Sequence, residues 1–137
     1  IKILIAGARP TALVQSFSSE NVTVTGWIED IREAYASAKI FVAPLFLGSG
    51  QQNKILEAMS MKIPCITTTL VNNAIGATPD KAIILADDND AFVEKIKLLL
   101  NNQEQIENIS QAGLEFVRDN YSWEYYVKPL EECFLSK

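Results

Sequence analysis

Gly48, Gly50, Lys54 and Glu57 are the residues of this chain whose types and spacing can do chemistry, within the segment GSGQQNKILEAM. Glycines let a backbone approach an anion closely. The segment turns helical at about Gln51, and the first amides of a helix lack intrahelical partners and carry partial positive charge. An apolar, strand-like run, Ile40–Ala43, precedes the loop. Strand, glycine loop, helix is the order in which an α/β protein presents N–H groups to phosphate.

Helical spacing extends the reading from phosphate to sugar. Gly50, Asn53, Lys54 and Glu57 stand at i, i+3, i+4 and i+7 and share one face. Ile55, Leu56, Ala58 and Met59 take the rest and are expected to pack on a sheet. A diphosphate would lie on the amides from Gly50 through Gln51 and Gln52 to Asn53, with Lys54 adding a full charge. Glu57 sits roughly 9 Å along the axis from Gln51, and its side chain leans back toward the N-terminus. A carboxylate there accepts both hydroxyls of a ribose cis-diol. The same residues also suit a plain surface helix, with Lys54 paired to Glu57 in the weaker, lysine-first orientation. Spacing alone leaves the two readings open.

The elements that must position these residues alternate. Strands are predicted at Lys2–Ala6, Val22–Thr25, Ile40–Pro44, Pro64–Thr68 and Ala82–Ala86. Helices are predicted at Thr11–Phe17, Ile28–Ala38, Gln51–Met61, after Asp87–Asp90, over Gln103–Arg118 and over Tyr121–Phe134. Leu70–Pro79 reads as loop. Phe92, Val93, Ile96, Leu99 and Leu100 are expected on one inward face, and Ile106, Ile109, Gly113, Phe116 and Val117 on another. Alternation of this kind implies a parallel sheet with helices on both faces. Ligands of such sheets sit beyond the C-terminal strand ends, and the loop Pro44–Gly50 leaves one of them.

Composition narrows the chemistry. The 137 residues fit one domain with a real core. A net charge of −5 argues against a general nucleic-acid or anionic-membrane surface. Histidine is absent, which removes imidazole bases, Ser-His-Asp triads and histidine metal sites from this chain. Cys65 and Cys133 lack metal spacing and are expected as two buried thiols in a reducing compartment. No signal peptide or apolar spanning run is evident. The chain opens on the bare strand IKILIAG without a methionine, as expected of a domain excised from something longer.

The segment LGSGQQNKILEAMSMKIPCITT resembles the nucleotide-sugar motif of family 4 retaining glycosyltransferases of GT-B architecture. IKILIAG, VTVTGWIEDIREAYASAKIFVAPL and NYSWE add to the resemblance, which covers nearly the whole chain. It implies a Rossmann-like, doubly wound parallel sheet over residues 1–137, the C-terminal half of a GT-B fold, whose N-terminal acceptor domain is absent here. It implies a nucleoside-diphosphate sugar as donor, transferred with retention to a glycan or lipid-linked acceptor, as in polysaccharide biosynthesis by bacteria. No metal or other cofactor is expected, and no nucleic-acid partner. The full-length enzyme is expected in the cytoplasm, free or at the inner face of the membrane. Glu57 matches the glutamate that contacts ribose, Gly50–Asn53 the diphosphate turn, and Gly26, Trp27 and Ile28 the wall near the base. Many members carry another glutamate eight residues before the ribose glutamate; Ser49 stands there, so the contacts to the donor sugar do not carry over. No residue matches a general base, and the chain alone is expected to bind but not to turn over. The alternative is a non-catalytic α/β nucleotide-binding or regulatory module.

Other residues weigh toward structure. Arg9 reads first as a solvated loop residue, and Trp27 more as packing than as a base stacker. Asp87, Asp88 and Asp90 read as helix capping rather than a calcium loop. Part of the aromatic segment Tyr121–Phe134, which holds Trp123, Tyr125 and Tyr126, is expected to be exposed.

Overall fold

The computed structural model describes residues 1–48 and 50–135, with the side chains of 124–126 and 129–131 outside the description. The chain divides into two compact units, Ile1–Ala38 and Lys39–Lys137.

The first unit holds β1 (Ile3–Ala6), α1 (Ala12–Gln15), β2 (Val22–Gly26) and α2 (Ile31–Ser37). β1 and β2 run parallel, Ile3 opposite Val22 and Ile5 opposite Val24, before the register slips and Ala6 meets Gly26. Gly26 ends β2 at φ +75°, a conformation that favours glycine. Its carbonyl accepts the Gly7 N–H at 3.1 Å. Thr11 and Asp30 cap α1 and α2. The Asp30 carboxylate also holds the Arg32 guanidinium at 2.7 Å, and that bond keeps its pKa below the usual carboxylate value.

The second unit holds β3 (Phe41–Ala43), α3 (Asn53–Ser60), β4 (Cys65–Thr67), α4 (Thr69–Ile75), β5 (Ile84–Leu85), α5 (Asn89–Leu100), α6 (Gln103–Tyr121) and α7 (Trp123–Leu135). β4 lies between β3 and β5, and all three are parallel. Cys65, Ile66 and Thr67 of β4 are all buried, as a central parallel strand requires. Ile66, Ile84, Ala86, Phe92, Leu99 and Ile109 form one core cluster. Gly113 brings α6 close to the buried side of α3: a Cβ there would stand 3.5 Å from Met59 Cε.

Most elements fall where the periodicity places them, with shorter strands. Leu70–Pro79 does not stay a loop. Thr68 caps α4 by accepting the Val71 N–H, Gly76 closes it at φ +79°, and Val71, Asn72 and Ile75 are buried. Two asparagines of low helix propensity hide that turn in the sequence. α3 starts at Asn53, not Gln51. Val93, expected inward, is 50% exposed, because Phe92 and Leu99 take the buried face of α5. Trp123 is 84% exposed, in line with an exposed aromatic segment; Tyr125 and Tyr126 lie outside the described side chains. Cys65 is buried, whereas Cys133, expected buried, is exposed near the end of α7, and no disulfide joins them. No helix among the described residues is long and apolar enough to cross a membrane.

Candidate functional site

The site residues rest on the C-terminal edge of the three-stranded sheet. β3 ends at Ala43, and the Leu45 N–H turns back to the Ala43 carbonyl at 2.9 Å. Phe46 packs edge-on against Phe92 of α5, ring centroids 6.0 Å apart. Gly48 and Gly50 follow at φ +115° and +94°, where a side chain would strain the backbone. Ser49 between them lies outside the described residues.

α3 then begins at Asn53, after Gln52 at the N-cap position. Gln52 makes no side-chain hydrogen bond to the helix, and the Ile55 N–H reaches the Gln52 carbonyl at 3.0 Å. Among the described residues, Thr11, Asp30, Thr68, Asp88 and Asn102 each cap their helix through a side-chain oxygen. Gln52, at the same position before α3, makes no such side-chain bond.

The two faces of α3 separate as the spacing requires. Ile55, Ala58 and Met59 have no exposed surface, and Leu56 is buried. Gly50, Gln51, Asn53, Lys54 and Glu57 are exposed, with Gln52 half-buried. A single face therefore carries one cation and one carboxylate in order down the helix. Gly26, Trp27 and Ile28 belong to the first unit, where they follow β2. Trp27, expected to pack, is 71% exposed. Arg9 is exposed at φ +53°.

The acidic run resolves into structural ties. Asp88 caps α5 by accepting the Ala91 N–H at 2.8 Å. Asp87 accepts from Thr69 twice, the N–H at 2.8 Å and the hydroxyl at 2.7 Å, and these bonds hold its pKa below the usual carboxylate value. No group of acidic, cysteine or histidine side chains among the described residues is arranged to hold a metal ion.

Two residues next to the site escaped the sequence reading. The Thr67 hydroxyl donates to the Ala43 carbonyl at 3.0 Å, and the Thr68 hydroxyl donates to the Leu45 carbonyl at 2.7 Å. The signal was the run of three threonines closing an otherwise apolar strand.

Residues 1–102 match the family model of the glycosyl transferases group 1. The chain belongs to that family. It is 28% identical to the capsular polysaccharide biosynthesis glycosyltransferase CapM of Staphylococcus aureus, over 83% of this chain and 30% of CapM. Two solved structures show the same fold. HepE of Anabaena, in complex with UDP, superposes with a TM-score of 0.83 at 12% identity, over 100% of this chain and 41% of HepE. Sucrose-phosphate synthase of Thermosynechococcus elongatus does so at 0.81 and 20% identity, over 98% of this chain and 38% of the synthase. The α/β fold, with parallel strands flanked by helices, thus matches GT-B glycosyltransferases. This group 1 chain spans less than half the length of each of these relatives.

Proposed function

We propose that the loop Pro44–Gly50 and helix α3 bind the diphosphate and ribose of a nucleoside-diphosphate sugar. On this reading the chain is the donor-binding, C-terminal half of a family 4 retaining glycosyltransferase. The observation that carries it is the exposed face of α3 bearing Asn53, Lys54 and Glu57, directly after a loop whose Gly48 and Gly50 stand at positive φ. Membership of the glycosyl transferases group 1 supports it, as does the presence of UDP in the HepE structure of like fold.

The chemistry follows from the layout. The leading amides of α3 and the Lys54 ammonium stabilise charge on the departing nucleoside diphosphate, where it develops in the transition state. Those groups supply the positive charge themselves, so the proposed site needs no metal. Glu57 accepts the ribose hydroxyls and fixes the donor's register. The acceptor is a glycan or lipid-linked glycan, as the likeness to a capsular polysaccharide enzyme suggests, and the acceptor side comes from elsewhere in a longer protein. The enzyme works in the cytoplasm, free or at the inner face of the membrane.

Calorimetric titration with UDP, GDP and their sugars tests the reading. Binding of at least one diphosphate is expected, weakened about 10- to 100-fold by Glu57→Ala, the loss of a charge-assisted hydrogen-bond pair. No binding, or binding indifferent to Glu57, would mean a module that keeps only the fold. Steady sugar transfer by these residues alone would refute the assignment to a donor half.

A further inference from the structure

Three consecutive threonines close β4, and each ties a different neighbour. Thr67 donates to Ala43 at the end of β3. Thr68 donates to Leu45, two residues into the loop that leads to Gly48. Thr69 bonds Asp87, beyond β5. The first two hydroxyls are buried, with Thr67 at 0% and Thr68 at 2% exposure.

The Thr68 hydroxyl is used in both directions. It donates to the Leu45 carbonyl and accepts the Val71 N–H at 3.3 Å, which caps α4. The Ala43 carbonyl likewise receives two donors, the Thr67 hydroxyl and the Leu45 N–H. The stretch Ala43–Leu45 is therefore held at its first and last carbonyls by the side chains of Thr67, at the end of β4, and Thr68, which follows it. A buried carbonyl left without its donor is costly, so the exit path of the chain from β3 has one well-satisfied solution. That path aims the glycine loop and, through it, the start of α3.

We propose that Thr67 and Thr68 are positioning residues for the nucleotide site: their hydroxyls set the root of the glycine loop without touching the ligand. The inference rests on the nucleotide reading of that loop. It separates the threonine run by role, because Thr67 and Thr68 serve the β3 side, where the ligand loop leaves, and Thr69 serves the β5 side.

The test is the diphosphate affinity of Thr68→Val, which keeps the shape and removes the hydroxyl, measured with UDP and GDP. Its affinity is expected to fall about tenfold, the worth of one buried hydrogen bond. Thr68→Ser is expected to restore the affinity of the unaltered chain. Thr69→Val, which cuts a hydroxyl tie to Asp87 and none to the loop, is expected to stay within about twofold. A folded Thr68→Val with unchanged affinity overturns the proposal. So does an equal loss in Thr69→Val, which would reduce the effect to general loosening. Failure of the unaltered chain to bind either nucleotide removes the nucleotide reading and this inference together, whereas binding indifferent to Thr68→Val removes this inference alone. Should Thr68→Val not fold, amide exchange on the unaltered chain decides. The Leu45 N–H is expected to be protected before nucleotide is added, with new protection on binding confined to residues 48–54. Exchange at Leu45 as fast as at Gly48 in the free chain overturns the proposal.

Discussion

A Cβ built on Gly113 would stand 3.1 Å from the carbonyl oxygen of Ala82. The glycine is thus a packing device, letting α6 lie against the chain entering β5 and over Met59 of α3. Gly113→Ala adds helix propensity but forces a methyl onto a backbone oxygen that cannot rotate away. The variant is expected to lose about 1–3 kcal/mol of stability, the usual cost of overpacking. Urea denaturation checks this; an unchanged or raised midpoint would show that the Ala82 segment yields.

Asp87 predicts a pH dependence. Its pKa is lowered in the folded chain, first by the Thr69 hydroxyl and then by the Thr69 N–H, from an ordinary value of 3.8. A depressed carboxylate contributes stability that is fully present above the unfolded-state value and is lost as pH falls through the folded one. Asp87→Ala is therefore expected to be less stable than the unaltered chain at pH 7. The gap should close as the pH drops below about 3.8. Thermal melts of both chains between pH 7 and pH 2.5 measure it, and a gap that stays constant across that range contradicts the assignment.

How far the sequence reveals this molecule depends on which interaction decides each element. The amphipathic split of α3 was legible because burial follows helical period, and Ile55, Ala58 and Met59 are buried as the spacing demands. The parallel strands were legible from apolar runs between helical segments, although β5 shrinks to Ile84–Leu85. α4 was not, because its evidence is a cap at each end, Thr68 and Gly76, around a run with two asparagines. The exposure of Trp27, and of Val93 on α5, was equally hidden: period places a residue on a face, but neighbouring elements decide how much of that face is covered. The ties from Thr67 and Thr68 to Ala43 and Leu45 join residues 23 or 24 positions apart. No local pattern announces a pairing that only the strand order creates.

The two thiols are expected to report separately. Cys65 is fully buried, its thiol donating to the Ile63 carbonyl at 3.4 Å, and burial pushes its pKa well above the ordinary range. Cys133 is exposed. Since the thiolate is the nucleophile, the native chain should react with a soluble disulfide reagent at Cys133 alone. Cys65 should label only at the rate of unfolding, so peptide mapping of chain labelled with and without denaturant distinguishes them. Rapid native labelling of Cys65 would mean that β4 is less protected than its burial indicates.

Lys54 gives the sharpest electrostatic prediction at the proposed site. Its ammonium stands one residue into α3, exposed, on the face it shares with Asn53 and Glu57. If it faces the diphosphate, its contribution is long-range and screened by salt, with a Debye length of about 10 Å at 0.1 M. UDP affinity should then fall with added salt, and Lys54→Met should bind more weakly and with a flatter salt dependence. Glu57→Ala should weaken binding yet leave the salt slope on the phosphate side in place, because it removes ribose contacts rather than the cation. Uridine, which lacks phosphate, should not distinguish Lys54→Met from the unaltered chain. Equal losses for uridine and UDP in Lys54→Met would place the lysine's role in the shape of α3 and not in its charge.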